Sequence, residues 1–316
     1  MRRPSALAVA LRSSGSDEPS LRITGFGVHG SISRAGRWVG GICCGVRRLV
    51  TVDVGYELSV SVTSGDTSLP VVFVNALGTS QDQWDQVLPR LYLHTAVTYD
   101  RPGIGASAPL PPHLSDQPRT FGALADELRN VLDQLGIDAP VVVVGHSIGA
   151  LIAMMYAARH GARTAGLVLV DGTTMAHLAG RGWPECEGGE DGPGSSMLDL
   201  PGSVTELDTA VPPVPAAVLA SAPGRWTRLS PADVAEFAPL TVEQLDQQWQ
   251  DGQRQLAEKL NALLVVADWA GHHVATDQPE LVAACVSAVI AAARDHRPVT
   301  IPLAQLRYAG GSYPVP

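Results

Sequence analysis

The stretch VVVVGHSIGALIAMMYAARH, residues 141–160, sets four valines, a Gly-x-Ser-x-Gly pentapeptide and an Ala/Leu/Met run in direct succession. Four β-branched residues in a row suit a strand buried on both faces, and the run after Gly149 suits a helix packed back onto that strand. A strand that turns straight into a helix must bend sharply. Gly145 and Gly149 permit the bend, because a Cβ at either place would meet the neighbouring strand or helix. Ser147 is then lifted to the C-terminal edge of the sheet, where the backbone N–H of Ile148 and the positive end of the helix face any oxyanion that develops there. In a chain with 32 glycines the pentapeptide alone would fit a tight turn with a helix-capping serine. Its strand-turn-helix setting makes Ser147 a candidate nucleophile instead.

Upstream, residues 49–54 and 56–62 read as two strands joined at Gly55. The second alternates Leu58, Val60 and Val62 against Glu57, Ser59 and Ser61, as at an antiparallel edge with one wet face. Residues 71–74 read as a short buried strand, followed by Asn75-Ala76-Leu77-Gly78 and a helix holding Trp84, Val87, Leu88 and Leu91. Residues 95–99 form the next strand and run into Asp100-Arg101-Pro102-Gly103-Ile104-Gly105-Ala106-Ser107. From Thr120 the spacing of Leu124, Leu128, Val131, Leu132 and Leu135 predicts a helix that Gly136 stops. Downstream, residues 166–171 (GLVLVD), 214–219 and 262–267 read as strands. Ser230-Pro231 offers an N-cap and an N1 proline for helical material from Ala232 to about Leu260, and Pro279 opens a last helix with Leu281, Val282, Cys285, Val289 and Ile290 on one face. Residues 172–213 carry no sustained periodicity and read as a short irregular lid. Residues 298–316 read as a surface tail. Strands alternating with helices imply a mostly parallel sheet covered on both faces.

The 316 residues suffice for one large α/β domain, and 45% hydrophobic composition marks a globular chain. No apolar run approaches the ~20 residues a membrane span needs. The formal net charge is −9, but residues 1–48 carry eight arginines against Asp17 and Glu18, so the remainder holds 14 positive and 29 negative side chains. An acidic body without a basic stripe argues against nucleic acid and anionic membrane as partners. Cys43, Cys44, Cys186 and Cys285 are too few and too irregularly spaced for a disulfide framework or a zinc site, which favours free thiols in the cytoplasm. The apolar stretch near the start, residues 6–11, is too short for a signal-peptide core. Residues 1–47, rich in Arg, Ser and Gly, read as a disordered extension outside the folded domain of residues 48–297.

Over roughly residues 48–295 the chain resembles the α/β-hydrolase superfamily, on four motifs in the family's order. Residues 71–91 resemble the strand, oxyanion loop and helix that usually read HGxG, with Asn75-Ala76 in place of His-Gly. YDRPGIGAS, residues 99–107, is similar to the family's DxxGxGxS turn, and Gly145 to Gly149 to its nucleophile elbow. Ala270-Gly271-His272-His273, ahead of Asp277-Gln278-Pro279-Glu280-Leu281, resembles the catalytic-histidine loop and last helix. The resemblance implies an eight-stranded, mostly parallel sheet. It also implies Ser147 as nucleophile, His272 as general base, and the backbone N–H groups of Leu77 and Ile148 as oxyanion hole. Asp100 and Arg101 are expected to hold the glycine turn through hydrogen bonds to backbone and to each other.

Many family members place the acid after the strand that here is residues 214–219, yet Ala220-Ser221-Ala222-Pro223-Gly224-Arg225-Trp226 contains no carboxylate. Asp171, at the end of the strand that follows the nucleophile strand and helix, stands at the family's alternative position. Asp268 and Asp233 are its rivals. The activity so implied is hydrolysis of a carboxylic ester of a small hydrophobic substrate, with no cofactor and no metal. An amide, thioester or lactone uses the same machinery, and a non-catalytic ligand-binding protein of the same fold is the reading from another class. Met175, Trp183, Met197, Leu198 and His273 are candidate pocket residues.

Overall fold

The computed structural model describes residues 21–22, 31–32, 38–39, 46–174, 195, 197–206, 210–228 and 239–314. The chain divides into two units, Met1–Cys44 and Gly45–Pro316. In the first, Leu21–Arg22, Ser31–Ile32 and Trp38–Val39 pair as an antiparallel three-stranded sheet. Two-residue strands carry no alternation, so the sequence holds no signal for them.

In the second unit nine strands form one sheet: β1 (Val46–Thr51), β2 (Glu57–Val62), β3 (Asp66–Val74), β4 (His94–Tyr99), β5 (Val141–His146), β6 (Thr164–Val170), β7 (Ala216–Ala220), β8 (Leu263–Ala267) and β9 (Gly311–Ser312). Their spatial order is β9-β8-β7-β6-β5-β3-β4-β2-β1. From β4 to β8 every neighbour is parallel, while β1, β2 and β9 run antiparallel at the two edges. The numbered helices are α1 (Phe121–Gln134), α2 (Ile148–Arg159), α3 (Leu200–Glu206), α4 (Val242–Leu260), α5 (Pro279–Asp295) and α6 (Leu303–Tyr308).

The central strands explain why the valine runs do not alternate with polar residues. Val72, Val74, Val141, Val143, Leu167 and Leu169 pack into one core with α1 and α2. Val71, Phe73, Val142, Val144, Val168 and Val170 pack into a second core with α5 and α6. Each strand thus feeds two helical layers, and both of its faces must be apolar. Cys285 lies in the second core, where burial pushes its thiol up to about 12.

Four expectations need correction. The sheet has nine strands rather than eight, because residues 298–316 are not a surface tail. Ile301, Leu306 and Ala309 are buried, and Gly311–Ser312 pairs with Val266 and Ala267. The buried positions 301, 306 and 309 follow neither a helical nor an alternating period. The expected helix around residues 84–91 is two 3₁₀ turns, Gln81–Trp84 and Leu88–Leu91, since Pro89 at the start of the second breaks a continuous α-helix. Within the expected lid, α3 is a regular helix docked on the start of α1. Ser203 Oγ accepts from Phe121 N at 2.9 Å, and Glu206 Oε2 accepts from Gly122 N at 2.9 Å. Helix α4 begins at a capping box between Thr241 and Gln244, whereas the N-cap expected at Ser230 lies outside the described residues.

Candidate active site

The elbow forms as its glycines require. A Cβ on Gly145 would collide with the carbonyl of Gly149, and one on Gly149 with the carbonyl of Val74. Ser147 sits between them with φ +56° and ψ −121°, a left-handed backbone that a serine adopts only when its surroundings enforce it. Its N–H donates to Val170 O at 3.1 Å and its carbonyl accepts from Thr173 N at 3.0 Å, so the end of β6 clamps the turn. Ser147 is 8% exposed, and its Oγ lies 3.5 Å from Thr173 Oγ1.

Asp171 follows β6 directly and is itself left-handed, with φ +42°. Fully buried, its carboxylate receives four donors. Oδ1 accepts from Ser221 N at 2.9 Å and from the Trp249 indole at 2.7 Å. Oδ2 accepts from Arg225 Nη1 at 2.6 Å and meets His272 Nδ1 at 2.7 Å. Burial alone would raise this carboxyl, but the Arg225 cation, the His272 ring and the Ser221 N–H outweigh it and hold Asp171 well below the usual carboxylate range. Asp171 and His272, 101 residues apart in sequence, are thus in direct contact. Asp268 points into solvent and its backbone N–H goes to Gly310 O, whereas Asp233 lies outside the described residues.

The loop that carries His272 is held through side chains of the helical segment after it. Gln278 Oε1 accepts from Trp269 N at 3.0 Å and Ala270 N at 2.7 Å, and Asp277 Oδ2 accepts from Gly271 N at 3.3 Å. His272 is half-buried; burial pushes its imidazole below the ordinary histidine value, while Asp171 pulls the other way. His146, at the end of β5, lies with its ring centroid 4.7 Å from that of His272, and its Nε2 meets the His272 carbonyl oxygen at 2.7 Å. Burial holds the His146 imidazole down to about 3. His146 is thus a neutral support for the loop. His273 is exposed beside it, with its ring 5.8 Å from that of His272.

Asp100 and Arg101 both bond backbone, at different stretches of the chain. Asp100 accepts from Ala106 N, Gln81 N and Gln81 Nε2, which fixes the glycine turn. Arg101 instead donates to the carbonyls of Asn75 and Ala76, both at 2.8 Å. The Asn75 side chain is anchored by donating to Tyr99 O and accepting from the Trp84 indole. The loop before Leu77 is thereby fixed without the usual His-Gly pair. Ile148 is the first residue of α2, where a backbone N–H has no acceptor within the helix. Neither Leu77 N–H nor Ile148 N–H donates to another group among the described residues.

Of the remaining pocket candidates, Leu198 is buried in the α1–α2 core and Met197 O accepts from Arg119 N at 2.7 Å; Met175 and Trp183 lie outside the described residues. Three contributors went unassigned in the sequence: Thr173, Arg225 and Trp249. No local pattern marks Arg225, whose partner Asp171 lies 54 residues away in sequence. Among the described residues no group of three or more His, Cys, Asp and Glu is arranged to hold a metal ion, and no helix is long and apolar enough to cross a membrane.

A parallel sheet with a glycine-flanked serine at one strand end and an Asp–His pair beside it defines an α/β-hydrolase architecture. A family model described as the alpha/beta hydrolase family matches residues 71–316, and the chain belongs to that family of hydrolases. It is 28% identical over 127 residues to the uncharacterized protein YqjL of Bacillus subtilis, covering 40% of this chain and 48% of that protein. It is 33% identical over 118 residues to the sn-1-specific diacylglycerol lipase ABHD11 of Mus musculus, covering 36% of each. The chain thus spans about half or less of the length of these curated relatives. A thermophilic esterase from Thermogutta terrifontis superposes with a TM-score of 0.51 at 19% identity, over 78% of this chain and 99% of that one, which is a likeness of fold.

Proposed function

We propose that the protein is a serine hydrolase that cleaves a carboxylic ester of a small hydrophobic substrate through an acyl-enzyme on Ser147. The observation that carries this reading is the 2.7 Å contact between His272 Nδ1 and the buried, ionised Asp171, at the strand edge that bears the Ser147 elbow. An ionised carboxylate at Nδ1 keeps the proton there and leaves Nε2 as the basic nitrogen. Neutral His272 takes the Ser147 proton as Oγ attacks the ester carbonyl, and returns it to the leaving alcohol. The tetrahedral oxyanion falls to the N–H groups of Leu77 and Ile148. Water then attacks the acyl-enzyme with His272 again as base. The Ser147 Oγ stands 3.5 Å from Thr173 Oγ1, and the proton passes when the hydroxyl turns from Thr173 to His272 Nε2.

Labelling with a fluorophosphonate probe tests the nucleophile, and turnover of p-nitrophenyl esters of graded chain length tests the bond and the substrate class. Ser147→Ala is expected to remove both signals with an unchanged melting temperature, because one hydroxyl and no core contact is lost. Labelling that survived in Ser147→Ala would move the nucleophile elsewhere.

A further inference from the structure

Residues 221–228, directly after β7, carry no carboxylate, yet they deliver a cation to the oxygen of Asp171 that also meets His272. Arg225 lies in the turn Arg225–Arg228, and its side chain is 9% exposed. Its Nη1 stands 2.6 Å from Asp171 Oδ2, the oxygen that lies 2.7 Å from His272 Nδ1. The guanidinium carbon is 3.8 Å from the centroid of the Trp249 ring and 4.4 Å from that of Trp226, so the plane of the group is fixed by aromatic faces. Trp249 meets the same network twice more: its indole donates to Asp171 Oδ1, and its ring centroid lies 5.9 Å from that of His272 at an interplanar angle of 86°. Asp246 Oδ2 holds the loop from α4 by accepting from Gly224 N at 2.9 Å. An arginine needed only to balance a buried charge could sit on either oxygen. This one shares a single oxygen with the imidazole.

We propose that Arg225 is a positioning residue of the Asp171–His272 pair: it fixes the rotation of the carboxylate and limits how strongly Asp171 can stabilise a charged His272. The inference rests on the reading of His272 as general base. Four charged or titratable groups bear on that ring: Asp171 from the end of β6, Arg225 from the β7 loop, His146 from β5 and the adjacent His273. Asp277 reaches the backbone of the same loop, and α4 presents Asp246 toward Arg225 and the neutral Trp249 toward the ring. Arg225 is the permanent cation of this group. Its field opposes protonation of His272, as burial does, and only Asp171 favours it. The result is a base that stays neutral, and so able to accept a proton, on the acid side of the ordinary histidine range.

The test compares the parent with Arg225→Gln and Arg225→Lys, in the full chain. Imidazole titration by NMR, with the His272 signal assigned by its loss in His272→Gln, reads the charge coupling without any turnover. The pH dependence of kcat and KM on p-nitrophenyl butyrate reads its use. In Arg225→Gln the His272 midpoint is expected to rise by about one pH unit. The acid limb of kcat/KM should move with it, and kcat should fall about tenfold at unchanged KM. Arg225→Lys keeps the charge but not the planar fork, so its midpoint should match the parent while kcat falls. A folded Arg225→Gln with an unshifted midpoint overturns the proposal whatever the turnover. A shifted midpoint in a protein that turns over no ester leaves the proposal standing and removes the hydrolase reading. Should Arg225→Gln fail to fold, Arg225→Lys decides: parent kcat together with parent midpoint overturns the positioning role, and reduced kcat at parent midpoint upholds it.

Discussion

Trp249, near the middle of α4, donates its indole N–H to Asp171 Oδ1 at 2.7 Å, across 78 residues of sequence. Ser221 N donates to the same oxygen, while His272 and Arg225 share Oδ2. The relation predicts what Asp171→Asn does. The amide oxygen must take the Oδ1 place to serve two N–H donors, so the amide NH₂ falls where Oδ2 was. It then faces the Arg225 cation and forces the proton of His272 from Nδ1 to Nε2. Ester turnover is expected to fall up to ~10⁴-fold through the wrong tautomer. Unlike a neutral surface change, the variant should also lose about 3 kcal/mol of stability, because Arg225 is left buried without its anion. Kinetics and urea denaturation on the same preparation measure the two losses separately.

Acid should destabilise the protein well before its carboxylates titrate. His146 is 1% exposed and is held at about 3, whereas in the unfolded chain it titrates near the ordinary histidine value of 6.5. Its folded value is depressed, so the stability linked to it is complete above about pH 6.5 and is lost as pH falls toward 3. His272, also lowered, acts in the same direction. Between pH 7 and pH 5 His146 alone corresponds to about 2 kcal/mol. Denaturant midpoints measured across that range should fall, and the slope should flatten in His146→Gln.

Gly149→Ala should fail where most glycine-to-alanine changes inside a helix help. The added methyl would occupy the position of the Val74 carbonyl, which belongs to β3 and cannot move without disturbing the sheet. Overpacking of this kind costs about 1–3 kcal/mol when side chains can yield, and backbone yields less. A lowered melting temperature with weak fluorophosphonate labelling is expected; a parent-like melting curve would contradict the packing described for the elbow.

Deletion of residues 303–316 should destabilise the domain rather than trim it. Leu306 and Ala309 would leave the α5–α6 core, and β8 would lose its antiparallel neighbour. The lost burial amounts to ~3 kcal/mol, or a fall in melting temperature of about 6–12 °C for a domain of this size. The His272 loop should feel it as well, since Gly310 O accepts from Asp268 N and from Gln278, the residue that holds Trp269 and Ala270. Differential scanning fluorimetry and esterase assays on full-length and shortened chains would register both effects.

What could be read in the sequence was whatever leaves a local pattern. The valine run at 141–144 and the glycines at 145 and 149 locate the elbow, because burial on two faces and a sharp turn each restrict residue type. The Asp171–His272 pair was accessible only through motif order, since 101 residues separate its members. Strand β9 was hidden: two residues have no period, and pairing with Val266 and Ala267 is decided by the fold of the whole domain. Arg225 was hidden for another reason. Its partner lies 54 residues away, and a loop arginine looks the same in sequence whether it ends in solvent or on a buried carboxylate. For Arg101 the sequence points to backbone partners without saying which, because its reach to the carbonyls of Asn75 and Ala76 depends on the parallel pairing of β3 and β4.

The left-handed backbone of Ser147 has a consequence for laboratory evolution. A serine at φ +56° is strained by about 1–3 kcal/mol, and glycine at the same place is not. A library selected for heat resistance alone, with no demand for turnover, should therefore enrich Ser147→Gly, so that the fittest survivors of such a screen would be the ones that had discarded the hydroxyl.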